Sequence, residues 1–230
     1  MKRIRVAIDG PGGAGKSTMA RGLARRCGLH YVDTGAIYRT VGVAVLRAGL
    51  DPADGEAVPA LLDTLRIDVR YEGEEQRMLL NGEDVTALLR TPEISAAASA
   101  VSALPEVRAF LLQTQRDLAE AGGVVMDGRD IGTVVLPEAE LKVFLTAAPE
   151  ERARRRYLEL LERGTPQPYE EVLAEMNERD RRDSTRAAAP LRAAEDAVLL
   201  DSTGLTPEEV LEKLVSLAEE RSGGEPEPCA

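Results

Sequence analysis

Apolar runs of strand length recur along the chain at Arg3–Asp9, His30–Asp33, Gly123–Asp127, Leu141–Leu145 and Ala197–Asp201. Between most of them the apolar spacing changes to threes and fours, which predicts helices over Gly15–Cys27, Thr34–Ala48, Pro105–Ala121, Pro149–Arg163 and Pro207–Glu220. Continuously apolar strands alternating with helices predict a parallel sheet covered on both faces. The expected fold is α/β, in three layers around a five-stranded parallel sheet. Ligands of such sheets lie beyond the C-terminal ends of the strands. Four of those ends carry Asp9, Asp33, Asp127 and Asp201. One acid in that place is commonly no more than a helix cap or turn residue.

Two stretches interrupt the alternation. Ile67–Tyr71 and Gln76–Leu80, with Asn81-Gly82, predict a small antiparallel β insertion. Glu150 to Arg192 reads as a long, highly charged helical region broken at Gly164-Thr165-Pro166, the tip of a mobile lid. The expected organisation is core over 1–65, the insertion over 66–90, core over 91–149, a helical lid over 150–168, core over 169–221 and a disordered tail over 222–230. The tail is assigned by its Gly, Pro and Glu content.

Composition narrows the possible partners. Of 230 residues, 43% are hydrophobic, enough for a core, but only 3% are aromatic, so packing must rely on Ala, Leu and Val. The formal charge of −11 argues against binding to nucleic acid or to an anionic membrane. Any phosphate chemistry must come from a local concentration of cations. Arginine dominates these, since Lys2, Lys16, Lys142 and Lys213 are the only lysines; a guanidinium grips phosphate bidentately where an ammonium does not. Cys27 and Cys229 make no disulfide framework. No leader sequence and no apolar stretch of about 18 residues is present, which predicts a cytoplasmic protein. His30 is the lone histidine and takes no role, so a protein-built zinc site is not expected.

The first βα turn carries the chemistry. Gly10-Pro11-Gly12-Gly13-Ala14-Gly15-Lys16-Ser17 follows the apolar run Ile4–Ile8 and opens a helix through Thr18, the strand–turn–helix context of a phosphate-binding loop. Glycines let successive backbone N–H groups converge on one anion, and the helix dipole favours the same charge. Lys16 adds a cation over the outer phosphates, and the Ser17 hydroxyl is placed to ligate magnesium. Val124-Val125-Met126-Asp127 is the apolar-run-plus-acid pattern that holds magnesium opposite such a loop. These residues predict binding of a nucleoside triphosphate.

Arginines cluster further on. Glu151, Arg155, Glu159 and Arg163 form opposite-sign i,i+4 pairs that a solvated helix face explains without any ligand. Arg152 and Arg156 lie four apart and would repel unless an anion bridges them, so they are candidates for triphosphate contact. Arg179, Asp183 and Arg186 fall on one side of a helix; an acid between guanidiniums suits a ligand with both phosphate and hydroxyl groups. A salt-bridged surface would carry the same pattern. Arg39, near a helix start, and Arg129, directly after Gly128, are each expected to meet an anion or a carboxylate.

With these residues in hand the chain resembles the bacterial cytidylate kinases of the nucleoside monophosphate kinase family, from Arg3 to about Ala218. The resemblance rests on Gly10–Thr18, Asp33-Thr34-Gly35-Ala36-Ile37-Tyr38-Arg39, Asp127-Gly128-Arg129-Asp130-Ile131-Gly132-Thr133 and Glu178–Arg186 running into Ala189-Pro190. It implies a P-loop fold, with 66–90 as an enlarged monophosphate-binding lobe, and ATP- and magnesium-dependent phosphorylation of CMP and dCMP. Arg39 and Arg129 would hold the acceptor phosphate, with Thr34 beside them at a position that is often Ser in the family. Asp183 and Arg179 would contact the ribose, and Ser99, Arg108, Asp130 and Arg186 would surround the cytosine. Lys16, Arg129, Arg152, Arg156 and Arg179 would spread the charge of the transferring group. A monomer is expected, with no nucleic-acid or membrane partner. Two alternatives stay open: a kinase of the same architecture for UMP, AMP or a non-nucleotide, and a GTP-binding switch, against which no Asn-Lys-x-Asp stretch appears.

Overall fold

The computed structural model describes residues 3–223. In chain order these form β1 (Arg5–Asp9), α1 (Lys16–Cys27), β2 (His30–Asp33), α2 (Thr34–Arg47), α3 (Ala57–Leu62), β3 (Ile67–Glu72), β4 (Glu75–Leu80), β5 (Glu83–Asp84), a 3-10 turn (Thr86–Leu88), α4 (Pro92–Val101), α5 (Pro105–Asp117), β6 (Val124–Gly128), a π turn (Ile131–Val135), β7 (Leu141–Thr146), α6 (Pro149–Glu162), α7 (Tyr169–Thr185), β8 (Val198–Asp201) and α8 (Pro207–Ser222).

The expected α/β fold is present: a five-stranded parallel sheet in the order β2-β6-β1-β7-β8, with a separate three-stranded sheet β3-β4-β5. Val6 of β1 pairs with Val125 of β6 on one side and Leu141 of β7 on the other. Val6, Ala7, Ile8, Val125 and Met126 have no exposure, so both faces of the central strands are covered. The chain forms two compact units, one of the residues up to His30 and from Gly122 onward, the other of Tyr31–Ala121.

In the second unit, Met78 and Leu80 of the hairpin share a core with Ile37 and Val41 of α2, Val58 of α3, Val101 of α4 and Leu111 of α5. The hairpin turns at Gly73-Glu74, between Glu72 and Glu75, which pair. Asn81-Gly82 instead joins β4 to β5, with φ of 51° and 88°, the left-handed pair that a two-residue turn requires. Helix α4 is an element the sequence reading missed. Its PEISAAASAV stretch has few bulky apolar residues to mark a face, yet Ile94, Ala97, Ala98 and Val101 are buried.

In the first unit, α6 and α7 pack on each other through Ala153, Leu160 and Val172, joined by Tyr169, Leu173 and Met176. Helix α8 opens on a reciprocal capping box between Thr206 and Glu209. It runs through Ser222, which composition assigned to the tail but which is buried, its hydroxyl donating to Glu219 O. Residues 224–230 of that expected tail, including Cys229, lie outside the described residues. Among the described residues no single helix is long and apolar enough to cross a membrane.

Candidate active site

The phosphate loop begins where β1 ends, and Gly10 makes the turn possible. Its φ is 147°, and a Cβ there would stand 1.9 Å from the Leu145 carbonyl oxygen of β7. No other residue fits beside that neighbouring strand. Gly15, at φ 88°, precedes the first residue of α1. Lys16 folds back over the loop and donates from Nζ to Pro11 O at 2.7 Å. Burial lowers its pKa well below the ordinary lysine value; Arg129 and Arg179 push the same way, while Asp127 and Asp9 partly counter. Three cations therefore converge on one glycine-lined turn within a chain of net charge −11.

Ser17 donates from Oγ to Asp127 Oδ2 at 2.8 Å. Asp127 is buried at the end of β6, so two hard oxygen ligands stand side by side at the mouth of the loop. Among the described residues no group of three or more His, Cys, Asp or Glu could hold a metal ion. The Ser17–Asp127 pair suits a cation such as magnesium, which takes few protein ligands and completes its shell with phosphate and water. Thr18 follows on the exposed side of α1.

The segment after β6 is held from behind by a residue that the sequence reading gave no role. Asp9, last in β1, accepts from Ile131 N at 2.8 Å and from Gly132 N at 2.7 Å. It thereby caps the π turn that follows Arg129 and Asp130. Its carboxyl is pushed up to about 6, by burial first and by Asp130, against the two backbone donors and Lys16. Asp130 is buried, and its carbonyl accepts from Val134 N and Val135 N.

Arg129 donates from Nε to Asp183 Oδ2 at 2.9 Å, and Arg186 Nη1 lies 3.9 Å from Asp183 Oδ1. Burial alone would raise the Asp183 pKa, but Arg129, then Arg179, hold it below the usual carboxylate range. Arg186 closes α7 and donates from Nε to Ala189 O at 2.7 Å. The structure thus brings together Lys16, Ser17, Asp127, Arg129, Arg179, Asp183 and Arg186.

Arg152 and Arg156 do not need the bridging anion that their spacing suggested. Arg152 is 4% exposed and donates to Ala147 O, to Gly12 O at 3.0 Å and to Asp180 Oδ2 at 2.6 Å. Arg156 pairs with Glu159 at 2.8 Å. Each guanidinium meets a carboxylate of its own, which removes the repulsion. Glu151 pairs with Arg155 as expected; Arg155 turns its other nitrogens to Ser202, and Glu159 takes Arg163.

The remaining expected residues belong to the second unit. Thr34 is buried as the first residue of α2. Asp33 caps that helix at Ala36 N with Oδ1 and accepts from Arg39 Nη2 with Oδ2 at 2.8 Å. Arg108 donates to Ser102 O and lies 5.5 Å from the centre of the Tyr38 ring. Ser99 lies on α4, its carbonyl accepting from Ser102 Oγ.

The comparisons with known proteins agree with this chemistry. A family model described as cytidylate kinase matches residues 6–220. A cytidylate kinase of Caldicellulosiruptor saccharolyticus is 52% identical over 94% of this chain and 96% of its own length. One of Carboxydothermus hydrogenoformans is 53% identical over 93% and 96%. A crystal structure of an uncharacterized protein from Eubacterium ventriosum shares the fold alone, with a TM-score of 0.53 at 13% identity over 95% of this chain and 99% of that one. With the glycine loop, the Ser17–Asp127 pair and the arginines on a match that runs from β1 into α8, the chain belongs to the cytidylate kinase family of nucleotide-phosphorylating enzymes.

Proposed function

We propose that this enzyme transfers the γ-phosphoryl group of ATP to CMP and dCMP, giving CDP and dCDP. The observation that carries the reading is the buried Lys16 amine, flanked by Arg129 and Arg179 over a glycine-lined turn. Burial and the two guanidiniums each disfavour the charge on Lys16, and the phosphates of a nucleotide would restore it. Gly10 to Thr18 would cradle the triphosphate. Ser17 and Asp127 would hold magnesium, which would screen phosphate charge when bound. Phosphoryl transfer needs alignment and charge neutralisation rather than covalent help from the protein. Lys16, Arg129 and Arg179 would supply the neutralisation, with Arg156 of the lid. Arg152 would act on the same loop through its bond to Gly12 O.

Arg39 and Arg129 would hold the acceptor phosphate, with Thr34 beside them, and Asp183 and Arg179 the ribose. Asp130 with Arg186, Ser99 and Arg108 would read the base. Cytosine offers an N4 amino donor beside two acceptors, so a carboxylate next to an arginine matches its edge. Uracil would turn an oxygen towards that carboxylate. The acceptor phosphate is already ionised at neutral pH, so no general base is named. The 150–168 lid would exclude water from the transfer, and the protein would work as a cytoplasmic monomer.

An ADP-release assay with CMP, dCMP, UMP and AMP as acceptors tests the reading. CMP and dCMP should be turned over fastest; UMP outpacing both would overturn it. In the same assay Arg129→Ala should lower kcat/KM for CMP by about a hundredfold or more.

A further inference from the structure

The hairpin sheet makes contacts that the motif reading assigned to no function. Strand β2 is outermost in its sheet, so one of its edges has no neighbouring strand among the described residues. His30 N donates to Gly123 O at 2.8 Å, which directs the backbone of His30 and Val32 one way and that of Tyr31 and Asp33 towards the open edge. Side chains of the hairpin occupy that edge. Tyr71 and Gln76 stand opposite each other in the β3–β4 register. The Tyr71 hydroxyl donates to Tyr31 O at 3.2 Å. Gln76 meets both backbone groups of Asp33: Oε1 accepts from Asp33 N at 2.8 Å, and Nε2 donates to Asp33 O at 3.1 Å. A carboxamide is the side-chain group that carries an acceptor and a donor side by side for such a pair. Nε2 also lies 3.2 Å from the sulfur of Met78, a residue with no exposure.

We infer that Gln76 is a positioning residue for the acceptor-phosphate site. It acts through Asp33, whose backbone it holds and whose carboxylate caps α2 and pairs with Arg39. Arg39 Nε is buried and makes no hydrogen bond among the described residues, so the guanidinium keeps a donor for a further acceptor. Clamping Asp33 at both backbone groups sets the aim of its carboxylate, and that carboxylate sets the direction in which Arg39 presents its remaining donors. The hairpin is thus part of the acceptor site, not only a cover for it. This rests on the reading of Arg39 as a ligand of the acceptor phosphate.

Steady-state kinetics of the full chain, with CMP and ATP varied separately, tests the inference in Gln76→Ala, Arg39→Ala and the double variant. Losing two hydrogen bonds to Asp33 should raise KM for CMP about tenfold and leave KM for ATP within about twofold. In the Arg39→Ala background the same change should add less than about twofold, because it acts through Arg39. Gln76→Glu keeps an acceptor for Asp33 N but sets an oxygen against Asp33 O, so it should raise KM for CMP as well; it serves as the second probe if the alanine variant folds poorly. Unchanged KM for CMP in both Gln76 variants, or a full tenfold rise still seen without Arg39, overturns the inference while the Arg39 reading stands. Arg39→Ala with unchanged KM for CMP overturns that reading itself, and the inference with it.

Discussion

Asp9 is a carboxylate enclosed on every side, accepting two backbone N–H bonds that favour its charge while burial opposes it. Burial wins, and the folded value of about 6 stands above the ordinary value of 3.8. The native state therefore binds more protons than the unfolded chain between those two values, and the Asp9 contribution to stability falls as pH rises through that window. A shift of two units corresponds to about 3 kcal/mol. Asp9→Asn should remove this slope. Chemical denaturation at pH 4 and pH 7 should then show the wild-type minus variant difference falling by about 3 kcal/mol at the higher pH; a constant difference would exclude Asp9 as the titrating group. The residue was visible in the sequence as an acid at a strand end, but its partners lie more than 120 positions away, and nothing in local spacing announces them. The phosphate loop was legible for the opposite reason: its glycines, Lys16 and Ser17 act within eight consecutive residues. Asp180 and Gln76 were lost in charged or hairpin patterns that local pairing already explained.

The α6–α7 helix pair braces the phosphate loop. Arg152 of α6 donates to the Gly12 carbonyl and to Asp180 of α7 with one nitrogen. A Cβ on Gly13 would meet the Met176 Cε of α7 at 2.6 Å and Arg152 O at 3.1 Å, so the loop lies directly against the pair. Asp180→Ala would leave a buried guanidinium without its carboxylate and slacken the strut. We expect a loss of roughly 3 kcal/mol, at the lower end for a buried pair because the Asp180 side chain is 20% exposed. A raised KM for ATP should accompany it. Thermal unfolding and ATP titration of one variant check both; a lower melting temperature with unchanged KM for ATP would separate the strut from the loop. At this scale the sequence pattern served well wherever period and breakers agreed. All five expected core strands and five helices are found with ends shifted by a few residues. Pro105–Ala121 stops at Asp117, because the following amides bond three residues back and tighten the turn at Ala119 and Glu120. The alanine-rich α4 escaped because burial of small side chains leaves little periodicity to read.

The chain as a whole is acidic, and the two compact units carry different parts of the proposed ligand set. Gly10 to Thr18, Lys16 and Asp127 belong to the unit that includes β1 and β6, whereas Thr34 and Arg39 belong to Tyr31–Ala121. This division makes the two nucleotides separable by where each protects the backbone. A ligand that binds only the folded form stabilises it by about 2.7 kcal/mol at a hundred times its Kd, and exchange slows in the segments whose opening would release it. Hydrogen exchange with ATP and magnesium alone should slow amides in 10–18 and leave 33–39 unchanged. CMP alone should slow 33–39 together with 129–132, where Asp9 holds the turn behind Arg129 and Asp130. Protection of 33–39 by ATP, or of neither segment by CMP, would refute the proposed assignment of Arg39 and Arg129 to the acceptor. The core shared between hairpin and α2 extends the effect expected of CMP. Because Met78 and Leu80 of the hairpin share a core with α2, ordering Arg39 with CMP should also slow exchange in 76–80, a segment that supplies no residue of the proposed ligand set.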